Sequence, residues 1–211
     1  MTTATHRRYQ SDNLVKGSWR NVEDSYLGAS PTSHSDGENW YPIANLIATK
    51  VGNGNTKMGA GILAVLSPQK DWDVNIALAF ELVATGWTRG QTTANNNKAV
   101  RILTGENPDT MLLGSKGKGG AKVSAFYRAI LSPTIDWLPV IDRHAIAVYY
   151  GKTPSKAEIR KVFDSARTIK RIQSAYIRVA KKYNVPYNVV QSVTWVDHRV
   201  AKGLAKSPIG E

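Results

Sequence analysis

The chain has 211 residues and carries 28 Lys and Arg against 16 Asp and Glu, which gives a formal net charge of +12. It contains no cysteine, and this excludes a disulfide scaffold, a cysteine nucleophile and a cysteine-ligated zinc or iron–sulfur site. The absence of a long apolar run and of an apolar signal region at the start predicts a cytoplasmic protein without a membrane partner. The excess positive charge predicts an anionic partner, most often a nucleic acid, unless it serves solubility alone.

The order of apolar runs and chain breaks predicts an all-α protein. Residues 1–38 are polar and predict irregular structure with one short helix near Asn21–Tyr26. Further along, apolar runs bounded by Gly, Asn or Pro predict helices over residues 39–50, 60–66, 72–85, 95–103, 108–113, 123–131, 140–150 and 187–202. Alternating β-branched runs between turn pairs, which would indicate strands, are nearly absent.

A long basic helix is predicted after residue 154. Ser155 and Glu158 have the spacing of a capping box, and apolar residues then recur every three or four positions as far as Val179. Lys and Arg fill the positions between them, and residues 151–211 hold 13 basic against 4 acidic side chains, a net charge of +9. This pattern fits an ordinary solvated helix face and equally a surface that faces phosphates.

The segment Leu112–Tyr150 is the one most indicative of chemistry. A short helix, the glycine- and lysine-rich turn GSKGKGGAK and a second helix form a candidate helix-hairpin-helix. Glycines let a backbone approach a phosphate closely, and a following helix start offers free N–H groups. Lys116, Lys118 and Lys122 would add positive charge, although the same residues also suit a flexible surface loop.

An acidic residue follows this turn. Asp142 comes directly after the apolar triplet Pro139–Ile141, at the predicted start of a helix. Asp is a favoured N-cap residue, so a purely structural role is one interpretation. The other is a catalytic carboxylate placed at a helix start near a nucleic-acid-binding turn.

Residues 61–142 resemble the helix-hairpin-helix DNA glycosylase superfamily, which includes endonuclease III, the mismatch adenine glycosylases and the oxoguanine glycosylases. Four segments lie in the family's order: GILAVLSPQKDWDVNIALAFEL, NNNKAVRILTG, LLGSKGKGGAKVSAF and VIDRHA. They are similar to the opening helices with their Leu-Ser-x-Gln turn, the Lys-Ala-x-x-Ile helix, the hairpin, and the Val-Asp-Thr-His segment. The hairpin is longer than the family's and lacks its Gly-Val-Gly core.

The resemblance implies an architecture of two helical lobes with a cleft between them. Residues 58–141 would form a helical-barrel lobe that carries the hairpin, and residues 1–57 with 142–211 would form the second lobe. Asp142 would then lie at the junction beside the hairpin. We expect a monomer that binds DNA.

The resemblance also implies the catalytic residues of an N-glycosylase. Asp142 would stabilise positive charge on the sugar as the base leaves, or would activate a water or an amine. Lys122 is the nearest counterpart of the family's Schiff-base nucleophile, and its alternative role is a phosphate contact. The bond-breaking mechanism, monofunctional or bifunctional with lyase activity, stays open.

DNA contacts are implied at the opening turn, at the hairpin and beside the catalytic acid. Gln69 would fill the gap that a flipped base leaves in the duplex, and Trp72 would stack on a base. The remaining predicted contacts are Lys116, Gly117, Lys118, Gly119, Gly120, Arg143 and His144.

The four-cysteine cluster of endonuclease III cannot form, and the four histidines show no ligand spacing, so we expect no metal site beyond a monovalent ion at the hairpin backbone. The segment YNVVQSVTWVDHRV is similar to the end of uncharacterised phage and actinobacterial families. The alternatives to excision are therefore a transfer enzyme on hypermodified phage DNA, a non-catalytic DNA-binding protein, and an all-α interaction protein.

Overall fold

The computed structural model describes residues 17–113 and 120–204, and within those ranges the secondary structure is entirely helical. The helices are α1 (Trp19–Gly28), α2 (Pro31–Val51), α3 (Thr56–Leu66), α4 (Trp72–Thr85), α5 (Thr93–Leu103), α6 (Pro108–Leu113), α7 (Gly120–Leu131), α8 (Arg143–Tyr150), α9 (Lys156–Phe163), α10 (Ala166–Tyr183) and α11 (Tyr187–Ala201). The all-α prediction is confirmed. None of these helices is long and apolar enough to cross a lipid bilayer.

The N-terminal region is more helical than its polar composition predicts. Helix α2 begins at Pro31, eight residues before the predicted start, so the prediction of irregular structure was wrong there. The Ser30 hydroxyl caps the helix by accepting a hydrogen bond from the Ser33 N–H, and Pro31 occupies the first turn. Both are standard helix-start signals, and they outweigh the low hydrophobicity of the first turns.

The long basic helix predicted after residue 154 is two helices. The predicted capping box of Ser155 and Glu158 is present at the start of α9. Helix α9 ends at Phe163, and Ser165 caps a new helix by accepting a hydrogen bond from the Thr168 N–H. The apolar residues keep their spacing across the break between the two helices, so periodicity alone did not indicate this break.

Buried apolar side chains form two clusters. The first is built from α2 to α7, and the second from α1 and α8 to α10, while α11 contributes to both. Val140 packs in the first cluster and Ile141 in the second, so the chain passes from one to the other immediately before Asp142. Helix α2, which the sequence grouped with the second lobe, contributes its buried side chains to the first cluster.

Helices α2 and α11 cross at a glycine. A Cβ added to Gly37 would collide with the Cα and the backbone nitrogen of Val193, so only a residue without a side chain allows this approach. The hydroxyl of Ser192 donates a hydrogen bond of 2.6 Å to the carbonyl of Gly37. The crossing therefore joins the two backbones directly.

We expect Gly37→Ala to destabilise the protein by about 2 kcal/mol or more, because the added methyl group meets backbone atoms that cannot rotate away. Urea denaturation would measure the free energy of unfolding. Gly28→Ala is the matched control, since a Cβ there meets no atom within 4 Å. Equal stability of the two variants would contradict the proposed constraint.

Candidate functional site

A cleft of about 780 Å³ opens where the two clusters meet. Its walls come from α2, the turn between α3 and α4, and helices α4, α7, α8, α9 and α11. A volume of this size is typical of sites that bind small molecules or single groups of a larger substrate. The cleft is therefore the first candidate for a functional site.

Aromatic side chains form one wall of the cleft. The ring of Trp40 lies 4.9 Å from that of Trp72, 5.6 Å from that of Trp195 and 5.8 Å from that of Phe126, measured between centroids. All four rings line the cleft; Trp40 is buried, whereas the other three are half-buried. Such a wall suits a flat, apolar-faced ligand, because stacking on aromatic rings is favourable for any planar ring.

Asp142 lies in the cleft and is held by three hydrogen bonds. Its Oδ1 accepts from the backbone N–H groups of His144 at 2.9 Å and Ala145 at 2.8 Å, and its Oδ2 accepts from Trp195 Nε1 at 3.0 Å. Asp142 is thus the N-cap of α8, as one sequence interpretation predicted. The Asp142 side chain thus lies at the positive end of the α8 dipole. A carboxylate has about four acceptor positions, so one remains for a ligand.

Basic side chains share the cleft with this carboxylate. Lys122, in the first turn of α7, is half-buried and lines the cleft together with Asp142. Lys70, Arg143 and Lys156 also line it. The structure therefore brings the two predicted catalytic residues into one cavity, although their roles stay predictions.

The predicted DNA-contacting residues fall into three groups. Gln69 is exposed on the turn before α4 and has a left-handed backbone with φ of 62°, which is uncommon for a residue other than glycine. It lines the cleft with Trp72. Gly120 begins α7 with φ of 68°. Residues Lys116, Gly117, Lys118 and Gly119 lie outside the described residues.

Sequence reasoning missed much of the cleft wall. Trp40, Tyr41 and Phe126 were predicted only as helix residues, and Gln191 was not singled out. The Tyr41 hydroxyl donates a buried hydrogen bond of 2.8 Å to Gln191 Oε1. Burial raises the pKa of the Tyr41 phenol, so it remains a donor. Aromatic content was the only available signal, and it does not tell which rings meet.

Behind Asp142, two histidines form a buried pair. Arg143 Nε donates to His144 Nε2 at 3.2 Å, which leaves His144 Nδ1 to carry the proton and donate to His198 Nδ1 at 3.0 Å. His198 is then protonated on Nε2. His144, predicted to contact phosphate or a base, is thus buried with both ring nitrogens engaged.

Within residues 17–113 and 120–204 no group of three or more His, Asp or Glu side chains is arranged to hold a metal ion. The predicted monovalent ion falls on hairpin residues outside those ranges and stays a prediction.

The histidine pair predicts a pH dependence of stability. Burial lowers the pKa of His144, and burial with the nearby Lys202 ammonium lowers that of His198 from 6.5 to about 4. The unfolded chain therefore binds protons more readily, and this contribution to stability is complete above pH 6.5 and is lost as the pH falls toward 4.

The variant His198→Asn tests this expectation, since its amide oxygen can accept the hydrogen bond from His144. Urea denaturation at several pH values should show a shallower loss of stability in the variant than in the wild type. An unchanged slope would contradict the assignment.

Comparison with known proteins identifies the family of the chain. No curated protein and no solved structure matches the chain significantly. A family model, described as a family of unknown function, matches residues 5–202, which is nearly the whole chain. The chain therefore belongs to the family DUF7178.

Proposed function

We propose that the protein is a DNA N-glycosylase that flips a damaged or modified base out of the duplex and cleaves its N-glycosidic bond. The observation that carries this proposal is the fixed carboxylate of Asp142 in a cleft walled by aromatic rings. We further propose that the two buried clusters correspond to the two lobes of a helix-hairpin-helix glycosylase-like fold.

The orientation of Asp142 suits the stabilisation of a cation. As the N-glycosidic bond breaks, the base leaves with the bonding electrons and the sugar becomes an oxocarbenium ion. A carboxylate that is already oriented lowers the energy of this ion without reorganisation. Water then adds to the sugar carbon and loses a proton, and the departing base gains one.

The other cleft residues have roles that follow from their positions. A flipped base would lie against the half-buried rings of Trp72 and Phe126, which offer planar faces. Gln69, exposed at the rim, would fill the space left in the duplex. The basic side chains Lys70 and Lys156 would contact the DNA backbone.

Transfer at a hypermodified base is the alternative enzymatic function, and simple DNA binding is the non-catalytic one. All three functions use the same cleft or surface and differ in their products. Excision releases a free base, transfer yields an altered base still attached to the sugar, and binding changes neither. Incubation with oligonucleotides that each carry one modified base, followed by mass analysis, separates these outcomes.

We expect Asp142→Asn to lower base release by about a hundredfold or more, because the negative charge at the sugar is lost. Asn is as good an N-cap as Asp, so helix α8 should remain folded. The loss of the Trp195 hydrogen bond should cost about 1 kcal/mol of stability. DNA affinity should stay almost unchanged.

Asp73→Asn is the matched control, since Asp73 is exposed in the first turn of α4 and lies outside the cleft. Its activity should equal that of the wild type. Undiminished base release by Asp142→Asn would overturn the catalytic assignment and leave Asp142 a helix cap.

Lys122 distinguishes the two glycosylase mechanisms. In the bifunctional mechanism its amine attacks the sugar carbon, and the base leaves with the bonding electrons and one amine proton. The sugar ring then opens as its oxygen takes the second amine proton, and the resulting Schiff base with DNA is reduced by borohydride to a stable adduct. This adduct should form with the wild type and disappear in Lys122→Ala but not in Lys50→Ala, a substitution at an exposed residue of α2. In the monofunctional mechanism no protein forms an adduct, and Lys122→Ala only weakens DNA binding.

A further inference from the structure

A second, smaller cavity adjoins the cleft on the far side of Arg143 and His144. Its volume is about 270 Å³, and Arg143, His144 and Ile159 line both spaces. The remaining lining comes from Ala147 on α8, from the loop after α8, which includes Thr153, and from α11 with residues that follow it. A group bound there would therefore lie next to a group bound in the cleft.

The described lining of this second cavity is cationic, and none of its residues carries a carboxylate. Its charged and titratable side chains are Arg143, His144, His198 and Lys202. Lys202 Nζ donates to the Thr153 hydroxyl at 3.0 Å and forms no ion pair with the described residues. The Arg143 guanidinium donates only through Nε, so its two terminal nitrogens make no hydrogen bond with the described part of the chain.

Arg143 and Lys202 are exposed to solvent and have no acidic partner among the described residues, so both charges are available to an anion that enters the cavity. We propose that the second cavity is a phosphate-binding site, with Arg143 and Lys202 as the two cationic ligands. An arginine fork and a lysine ammonium are the side chains that most often hold phosphate oxygens in proteins. The Thr153 hydroxyl lies within reach of Lys202 and supplies a neutral donor.

The neighbouring histidines support this assignment. The charges around His144 are those of Arg143, Arg199 and Lys202, opposed only by Asp142, and Lys202 also lowers the pKa of His198. Burial is the larger cause of the lowered pKa of both rings, and these positive charges lower the two pKa values further, so both imidazoles are held neutral. A bound phosphate would add negative charge beside them and raise the pKa of both rings.

The geometry links the phosphate site to the substrate of the cleft. A nucleotide carries its phosphate a short distance from its base, and the two cavities share a wall at Arg143. A base in the cleft would place a phosphate of the same or the adjacent nucleotide in the second cavity. This link rests on the proposed nucleic-acid substrate, whereas the phosphate site itself depends on neither excision nor the charge of Asp142.

Histidine NMR on the full chain tests the proposal without any assay of catalysis. The His144 and His198 resonances are followed through a pH titration at constant ionic strength, in chloride and then in sodium phosphate. Phosphate should raise the pKa of His198. Lys202→Gln should weaken phosphate binding about tenfold, the effect of losing one charge-assisted hydrogen bond.

Lys50→Gln is the control for a general loss of charge, since Lys50 is exposed on α2 and lines neither cavity. It should bind phosphate as the wild type does. An unmoved His198 pKa in phosphate, or equal binding by Lys202→Gln and Lys50→Gln, would overturn the site. Undiminished base release by Asp142→Asn would overturn the catalytic role of Asp142, and release of no base from any modified oligonucleotide would overturn the proposed function. Neither result bears on phosphate binding in the second cavity.

The source of the phosphate is decided by two further probes, a trinucleotide with a 5′-terminal phosphate and the same trinucleotide without it. A shift of His198 with the phosphorylated probe alone assigns the cavity to a terminal phosphate. A shift with both assigns it to an internal phosphodiester. A shift with neither, in a protein that responds to inorganic phosphate, would overturn the link between the two cavities.

Discussion

The contact between the backbones of α2 and α11 at Gly37 is the constraint on which the candidate site depends. Helix α2 carries Trp40 and α11 carries Trp195, and these two rings meet in the aromatic wall of the cleft. Because the helices approach until a single methyl group would not fit, the distance between the two tryptophans is fixed by main-chain atoms. Close packing of main-chain atoms makes this wall of the cleft rigid, because protein interiors are packed densely and have low compressibility.

Asp142 owes its position to the same arrangement. The chain leaves the first buried cluster at Val140 and enters the second at Ile141, and the next residue caps α8. One carboxylate oxygen stabilises the helix start, while the other is tied to Trp195 on α11. The N-cap hydrogen bonds and the hydrogen bond to α11 therefore hold the Asp142 side chain in the same orientation. A carboxylate held in this way is preorganised to stabilise positive charge on a ligand, because no free energy is needed to reorient it when the ligand binds.

Helices and caps that depend on neighbouring residues could be predicted from the sequence. Contacts between residues far apart in the chain could not. Helical periodicity indicated most of the helices, and the cap at Asp142 and the capping box at Ser155 followed from local spacing. The early start of α2 was not predicted because its first turns are polar, although Ser30 offers a cap. The break before Ser165 was missed because the apolar stripe continues through it. The cleft wall and the histidine pair join residues that are far apart in the chain, and no single-sequence pattern records such contacts.

The aromatic wall has an optical consequence. Of the six tryptophans in the chain, three line the cleft, namely Trp40, Trp72 and Trp195. The indole N–H of Trp195 is bonded to the Asp142 carboxylate, so its electronic environment includes a full negative charge. Any ligand that stacks on these rings or displaces that bond alters the intrinsic fluorescence of the protein. Tryptophan fluorescence therefore reports on binding in the cleft. It can be used to screen nucleosides, bases and oligonucleotides for binding before the reaction is known.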